Sequence, residues 1–161
     1  MPAGPSAIQT VSLAAKTPAV LSYIKVYRAS PFERIDMIKR GLLAADAKRI
    51  IADLAIGQST ALKALDLSTA TVNKKAKAAS TLSPAETERV LGIVKLVGQL
   101  EAMIEESGDL EGFDAPSWMS RWLQEPLPAL GGVRPIDLMG TMEGQALVST
   151  ALAQVQSGAY A

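Results

Sequence analysis

Apolar residues recur at helical spacing along most of the chain, and start and stop signals divide them into separate runs. Ser30, Pro31 and Glu33 provide an N-cap, a first-turn proline and an acidic third position. Gly41 can end the helix that they begin. The pattern therefore predicts a first firm helix between Ser30 and Gly41.

Two longer apolar patterns follow. One predicts a helix from about Ala45 to Leu54, with Ile50, Ile51 and Leu54 facing inward. The other begins at a capping box in Ser83-Pro84-Ala85-Glu86 and runs to about Glu106. Its apolar stripe consists of Val90, Ile93, Val94, Val97, Leu100 and Ile104. Gly92 and Gly98 interrupt this helix, which predicts that another helix approaches closely there.

The C-terminal part is predicted to be helical as well. An acidic run marks its start, and it consists of Glu101, Glu105, Glu106, Asp109, Glu111 and Asp114. Asp114 can cap a short helix that carries Trp118 and Trp122, and Arg134-Pro135 opens a further helical turn after a Pro- and Gly-rich loop. A last helix is predicted from about Thr141 to Gln156, with an apolar face made of Leu147, Val148, Ala151, Leu152 and Val155. No segment reads as a strand, so the fold class is all-α.

The N-terminal residues read differently. Residues 1–29 form a tail rich in Pro, Ala and Ser, of which 1–17 are predicted to be disordered and 19–28 to form a short helix. The tail is a poor signal peptide because no Lys or Arg precedes its first apolar stretch. We place the main boundaries at 30–106 and 107–161.

Residues Gln58 to Lys77 have the pattern of a helix-turn-helix. Ala61, Leu62 and Leu65 face inward from its first helix, Leu67 fills the turn, and Ser68 can cap the second helix. Asn and Thr can hydrogen-bond base edges, and lysines can neutralise phosphates. The candidate DNA-binding residues are Ser68, Thr69, Thr71, Asn73, Lys74, Lys75 and Lys77.

Two residues depart from the usual motif. Asp66 stands in the turn where glycine is usual, and Lys75 stands near a position that is usually apolar. A purely structural role remains open, in which these helices only pack the domain and the lysines are solvated.

Charge divides the chain into two halves. Residues 1–80 hold 12 Lys and Arg against 5 Asp and Glu, a balance of +7, and residues 81–161 hold 4 against 11, a balance of −7. A basic half that contains a helix-turn-helix favours a duplex partner, and the acidic half favours a different kind of partner.

Composition argues against an enzyme. The chain has no Cys and no His. The commonest general base, the thiolate nucleophile and the usual transition-metal ligands are therefore missing, and no phosphate-cradling glycine motif is present. We expect no catalytic residues, no metal site and no cofactor. The lack of Cys fits a cytoplasmic protein, and no apolar run approaches the ~20 residues that span a bilayer.

The order of motifs resembles a known family, the Xre/MbcA/ParS antitoxins. The resemblance covers residues 30–161 and is most specific toward the C-terminus. The segments that carry it are the helical block Ser30 to Ile104, the tryptophan helix, LGGVRPIDLM at Leu130 to Met139, Glu143-Gly144 in the last helix, and Ser157-Gly158.

This resemblance implies a bacterial type II antitoxin with two domains: an Xre/Cro-like helix-turn-helix domain and a small helical toxin-binding domain. Such proteins neutralise a RES-domain toxin, which consumes NAD, by covering its active site. They also bind the promoter of their own operon as dimers. The residues expected to contact the toxin are Trp118, Trp122, Arg134, Gly158, Ala159, Tyr160 and Ala161.

Several of these residues have a structural interpretation as well. Trp118 and Trp122 at helical spacing are more often core than contact. Gly131, Gly132 and Pro135 are expected to set a turn and a helix start. Arg134 can cap a neighbouring helix or bond a toxin carboxylate, and Tyr160 is the best contact candidate.

Two other functions stay open at this stage. The chain can be a helix-turn-helix transcription regulator whose C-terminal domain only dimerises or senses a small ligand. It can also be a helical adaptor that does not bind DNA.

Overall fold

The computed structural model describes residues 21–157, and all regular structure in that range is helical. The helices are α1 (Tyr23–Arg28), α2 (Pro31–Arg40), α3 (Ala44–Leu54), α4 (Gln58–Ala64), α5 (Thr69–Lys77), α6 (Pro84–Ser107), α7 (Ala115–Leu123) and α8 (Met142–Ser157), with short 3₁₀ helices at Pro128–Leu130 and Pro135–Leu138. Within residues 21–157 the only β-type pairings are two isolated bridges, Leu43 with Thr81 and Leu127 with Val133. The all-α prediction is confirmed.

The predicted helix starts are present and have the expected local cause. The Ser30 and Ser83 hydroxyls each accept a hydrogen bond from the backbone N–H of the third helical residue, and the Glu33 and Glu86 carboxylates accept one from the backbone N–H of the cap residue. Asp114 caps α7 by accepting from the Ser117 N–H at 3.1 Å. These signals act within four residues, so the sequence alone places the helix starts to within about one or two residues.

Helix α6 is the central element of the fold. It has 24 residues, most of them are buried, and α1, α2, α7 and α8 all pack against it. The buried apolar side chains of α3, α4, α5, α7 and α8 belong to the same continuous core as those of α6. Side chains from the basic half and the acidic half therefore share one apolar interior.

The two glycines of α6 are contact points for other helices, as predicted. A Cβ on Gly92 would collide with the side-chain amide of Gln145 in α8, and one on Gly98 would collide with the backbone carbonyl of Tyr23 in α1. Because neither glycine has a side chain, α1 and α8 can approach the α6 backbone.

Two helical predictions need correction or restriction. Leu147, predicted on the inward face of α8, is 52% exposed, whereas Val148, Ala151 and Leu152 are buried as predicted. The inward face of α8 is therefore rotated away from Leu147. The predicted helix at 19–28 corresponds to α1, which begins only at Tyr23, and the predicted disorder of 1–17 lies outside the described residues.

No helix within residues 21–157 is long and apolar enough to cross a membrane.

Candidate functional site

Helices α4 and α5 form the predicted helix-turn-helix. Their inward side chains are almost completely buried, as is the apolar residue in the turn: Ala61, Leu62, Leu65, Leu67 and Val72. The Ser68 hydroxyl caps α5 by accepting from the Thr71 N–H at 3.2 Å. The motif is thus held by its own core and by α3, which packs on both helices.

The unusual Asp66 fits the turn without a glycine. Its backbone is left-handed, with φ of 58°, a conformation that Asp and Asn adopt more readily than other residues with a side chain. Arg89 of α6 stabilises this turn by donating to the carbonyls of Leu65 at 2.8 Å and Asp66 at 3.3 Å. Asp66 therefore replaces the usual glycine without changing how the turn joins α4 to α5.

Five residues of α5 lie on one outward face at helical spacing. Ala70, Lys74 and Lys77 are exposed, and Thr69 and Asn73 are half-exposed. Ser68 lies at the start of this face, and its hydroxyl can still donate because the cap uses only its acceptor. Most of the predicted DNA-binding residues are thus brought together at one surface.

Lys75 and Thr71 lie one turn apart on a different flank of α5. The Lys75 ammonium donates to the Glu86 carboxylate at 2.8 Å, and both side chains are largely buried. Burial alone would raise the pKa of Glu86, but the hydrogen bonds from Lys75 and Ser83 outweigh it, and the pKa of Glu86 is lowered. Lys75 therefore joins α5 to the start of α6 in this structure.

Two residues missed at the sequence level border the α5 face. The Gln58 side chain, at the first position of α4, donates from Nε2 to Asn73 Oδ1 at 3.1 Å. Lys48 of α3 lines the same open depression, together with Gln58, Asn73, Ala76 and Lys77. In the sequence, Gln58 was interpreted only as the start of a helix. Its polar side chain at the N-terminus of the first motif helix was the one signal that could have indicated a role at the DNA-binding surface.

The two tryptophans of α7 stack on each other, with ring centroids 5.9 Å apart and an angle of 20° between the planes. Trp122 is only 6% exposed, and its Nε1 has no hydrogen-bond partner among the described residues. Trp118 is half-buried. Burial thus favours a packing role for Trp122, while Trp118 keeps an edge at the surface.

Arg134 lies at the surface beside the helix-turn-helix. It makes two hydrogen bonds with the Asp137 carboxylate, both 3.1 Å long, and these raise the pKa of Arg134. The pair lines an open cleft whose opposite wall is α4, with Ser59, Thr60 and Lys63. The expected toxin contact Arg134 is therefore close to the first motif helix.

Glycines shape the segment between α7 and α8. Gly131 and Gly132 have φ of 68° and 88°, so they turn the chain in a way that L side chains rarely permit. A Cβ on Gly144 would collide with the backbone carbonyl of Leu138. The expected contacts Gly158, Ala159, Tyr160 and Ala161 lie outside the described residues. Within residues 21–157 no group of acidic side chains is arranged to hold a metal ion.

Models of two known protein families match different parts of this chain. A model of the antitoxin Xre-like helix-turn-helix domain matches residues 33–95, and a model of the antitoxin Xre/MbcA/ParS C-terminal toxin-binding domain matches residues 108–158. A relative from Sphingobium sp. (strain YBL2), named Prs ADP-ribosylating antitoxin, is 62% identical over 140 residues, which cover 87% of this chain and 88% of the relative. This chain belongs to the Xre/MbcA/ParS family of antitoxins, with a helix-turn-helix domain followed by a toxin-binding domain.

Proposed function

We propose that this antitoxin binds a RES-domain toxin, occludes its active site and represses its own operon by binding promoter DNA. The observation that carries the proposal is the match of residues 108–158 to a toxin-binding domain in a chain that also carries a helix-turn-helix. The mechanism is occlusion by protein contact, and the antitoxin itself performs no chemistry.

The toxin that we propose consumes NAD. The Sphingobium relative carries the words "Prs ADP-ribosylating" in its name. Transfer of ADP-ribose from NAD breaks the bond to nicotinamide, so an ADP-ribosylating enzyme also depletes NAD. We extend this to the partner of the present chain: its toxin uses NAD as the donor of ADP-ribose.

The contact surface lies on the C-terminal half. The exposed Arg134, the surface edge of Trp118 and the residues 158–161 are the proposed contacts, and Tyr160 is proposed to enter the toxin cleft. Trp122 acts indirectly, since its burial supports a role in holding α7 in place. Leu147 is a further candidate because α8 exposes it to solvent.

Repression is assigned to the outward face of α5. A helix-turn-helix places its second helix in the major groove, where side chains reach base edges, while lysines contact phosphates. Thr69, Asn73, Lys74 and Lys77 have the required position and chemistry. Lys75 contributes indirectly through Glu86 rather than through a phosphate.

We further propose that the antitoxin acts as a homodimer in the bacterial cytoplasm. Two copies would match two half-sites of an operator. Helix α2 leaves Phe32 83% exposed and Ile35 46% exposed, so this helix is the first place to test for the dimer contact.

The deciding experiment is co-expression with the protein encoded by the neighbouring gene, using a tag on the N-terminus of the antitoxin. We expect a stable complex, restored host growth and preserved NAD. A variant that lacks residues 158–161 should lose neutralisation and still bind the upstream duplex.

A matched variant separates the two activities. Lys74→Ala with Lys77→Ala should weaken duplex binding and leave neutralisation intact. If nothing co-purifies and the neighbouring protein is harmless alone, the toxin assignment is wrong. If label from NAD is recovered only as free ADP-ribose and none is transferred to an acceptor molecule, only the ADP-ribosylation step is wrong.

A further inference from the structure

The Gln58 and Asn73 side chains form a pair across the two helices of the motif. Gln58 begins α4, Asn73 lies in the middle of α5, and Gln58 Nε2 donates to Asn73 Oδ1 at 3.1 Å. Both residues are half-exposed and open into the depression that Lys48 and Lys77 also line. The pair therefore sits at the surface where we place the duplex.

The hydrogen bond fixes the orientation of the Asn73 amide. An Asn amide offers one acceptor oxygen and an NH₂ group with two donors. Because Gln58 holds the oxygen toward α4, the NH₂ group is the end that points away from α4. A free Asn can instead turn both ends toward one base and bond adenine bidentately.

An Asn73 amide that offers only its NH₂ group and one that offers both ends prefer different bases in the major groove. Guanine is the only base that presents two acceptors, N7 and O6, and no donor there. Adenine presents one acceptor and one donor, cytosine a donor, and thymine an acceptor beside a methyl group. An amide that offers only donors is matched best by guanine.

We infer that Gln58 is a specificity-determining residue of the DNA-binding surface, which makes Asn73 a donor and directs it to a guanine of the operator. This inference rests on the proposed repression of the operon. Lys48 and Lys77 have a separate role, since phosphate contacts supply affinity without reading sequence.

The test uses the full-length antitoxin with its upstream intergenic duplex and a randomised duplex library. For the native protein we expect a preferred guanine in each half-site. Replacing that guanine by 7-deazaguanine, which lacks the N7 acceptor, should weaken binding about tenfold, the scale of one good base contact. Random duplex should be bound equally well before and after the replacement.

Gln58→Ala is the informative variant because it frees the Asn73 oxygen. We expect its preference at this position to move from guanine toward adenine, with binding to random duplex and the salt dependence unchanged. Ser59→Ala is the matched control: Ser59 is exposed on the same helix, does not line the depression, and should leave the preference as it is. Thermal unfolding of both variants checks that the motif stays folded.

Two results overturn the inference and are distinguishable from each other. If Gln58→Ala retains the native base preference, or if the native preference at this position is adenine, Gln58 does not set the specificity while repression still stands. If the native protein shows no salt-dependent binding to any duplex, the proposed repression is wrong and the inference falls with it.

Discussion

Lys75 of α5 and Glu86 of α6 form an ion pair with 2.8 Å between Nζ and Oε1. The same Glu86 oxygen accepts the Ser83 N–H at 2.8 Å and so completes the capping box of α6. One carboxylate therefore fixes the start of the central helix and the last turns of the motif's second helix. A lysine that looked misplaced for a helix-turn-helix has a structural partner.

We expect Lys75→Met to weaken DNA binding by disturbing the position of α5 and not by removing a phosphate contact. The slope of log affinity against log salt should then stay unchanged, whereas Lys74→Ala should reduce it by about 0.9, one phosphate contact. Fluorescence anisotropy at several salt concentrations measures both slopes. Equal slope changes in the two variants would mean that Lys75 also contacts a phosphate.

The pH dependence of stability should report on Glu86. Its pKa is lowered in the folded protein. Its contribution is therefore complete above the unfolded-state value, about 4.3, and is lost as the pH falls through the lower folded-state pKa. Glu86→Gln should be less stable than the native protein by a constant margin above about pH 5, and the margin should shrink in acid. Urea unfolding across this range checks it, and a margin independent of pH would contradict it.

Asn73→Ala and Lys74→Ala should affect binding in different ways. Loss of a base contact should cost about 1–3 kcal/mol on the operator and little on random duplex. Loss of a phosphate contact should weaken both duplexes alike. Parallel titrations of operator and random duplex measure the difference, and equal losses for both variants would disprove the assignment of roles on α5.

The two α6 glycines should respond differently to alanine. At Gly98 a methyl group meets the backbone of Tyr23 and lies 2.7 Å from Tyr27 Cβ, so relief requires moving α1. At Gly92 it meets the movable end of the Gln145 side chain. We expect Gly98→Ala to cost about 1–3 kcal/mol and Gly92→Ala to cost less.

Gln145 provides the control for that comparison. Its Nε2 donates to the carbonyls of Arg89 at 3.1 Å and Met139 at 3.0 Å, and displacement breaks these bonds. In a Gln145→Ala background, Gly92→Ala should therefore cost little, because the colliding side chain and its two hydrogen bonds are already absent. Chemical unfolding of the single and double variants measures it, and a Gly92→Ala cost at or above that of Gly98→Ala would be inconsistent with this packing.

Trp122 and Leu147 should separate folding from toxin binding. Trp122→Ala should lose about 3–5 kcal/mol of stability, because it removes a buried indole. Leu147→Ser should leave stability within about 0.5 kcal/mol, as for an exposed site, and weaken the toxin complex. Unfolding curves and co-purification with the toxin measure these effects. Ala52→Ser, at an exposed position of α3 in the other half, is the control and should leave toxin binding unchanged.

Local signals in the sequence determined much of this fold. Helix starts follow from the amino-acid sequence alone, because each cap depends on groups within a few residues, as at Ser30, Ser83 and Asp114. The helix-turn-helix was recognisable for the same reason, because its spacing is set by short-range turn and helix geometry. The toxin-binding segment was recognised only through its resemblance to a known family. The close approaches at Gly92 and Gly98 were also predicted, although not which residues make them.

The tertiary structure decided what each side chain faces. By spacing alone, Leu147 and Val148 both fit the apolar stripe of α8. Only the packing of α8 on α6 decides that Val148 is buried and Leu147 is exposed to solvent. The partners of Lys75 and Asn73 are 11 and 15 residues away, across a turn or a connection whose path no local pattern specifies. Helical periodicity fixes positions around one axis, whereas the rotation of one helix against another is set by contacts among several helices at once.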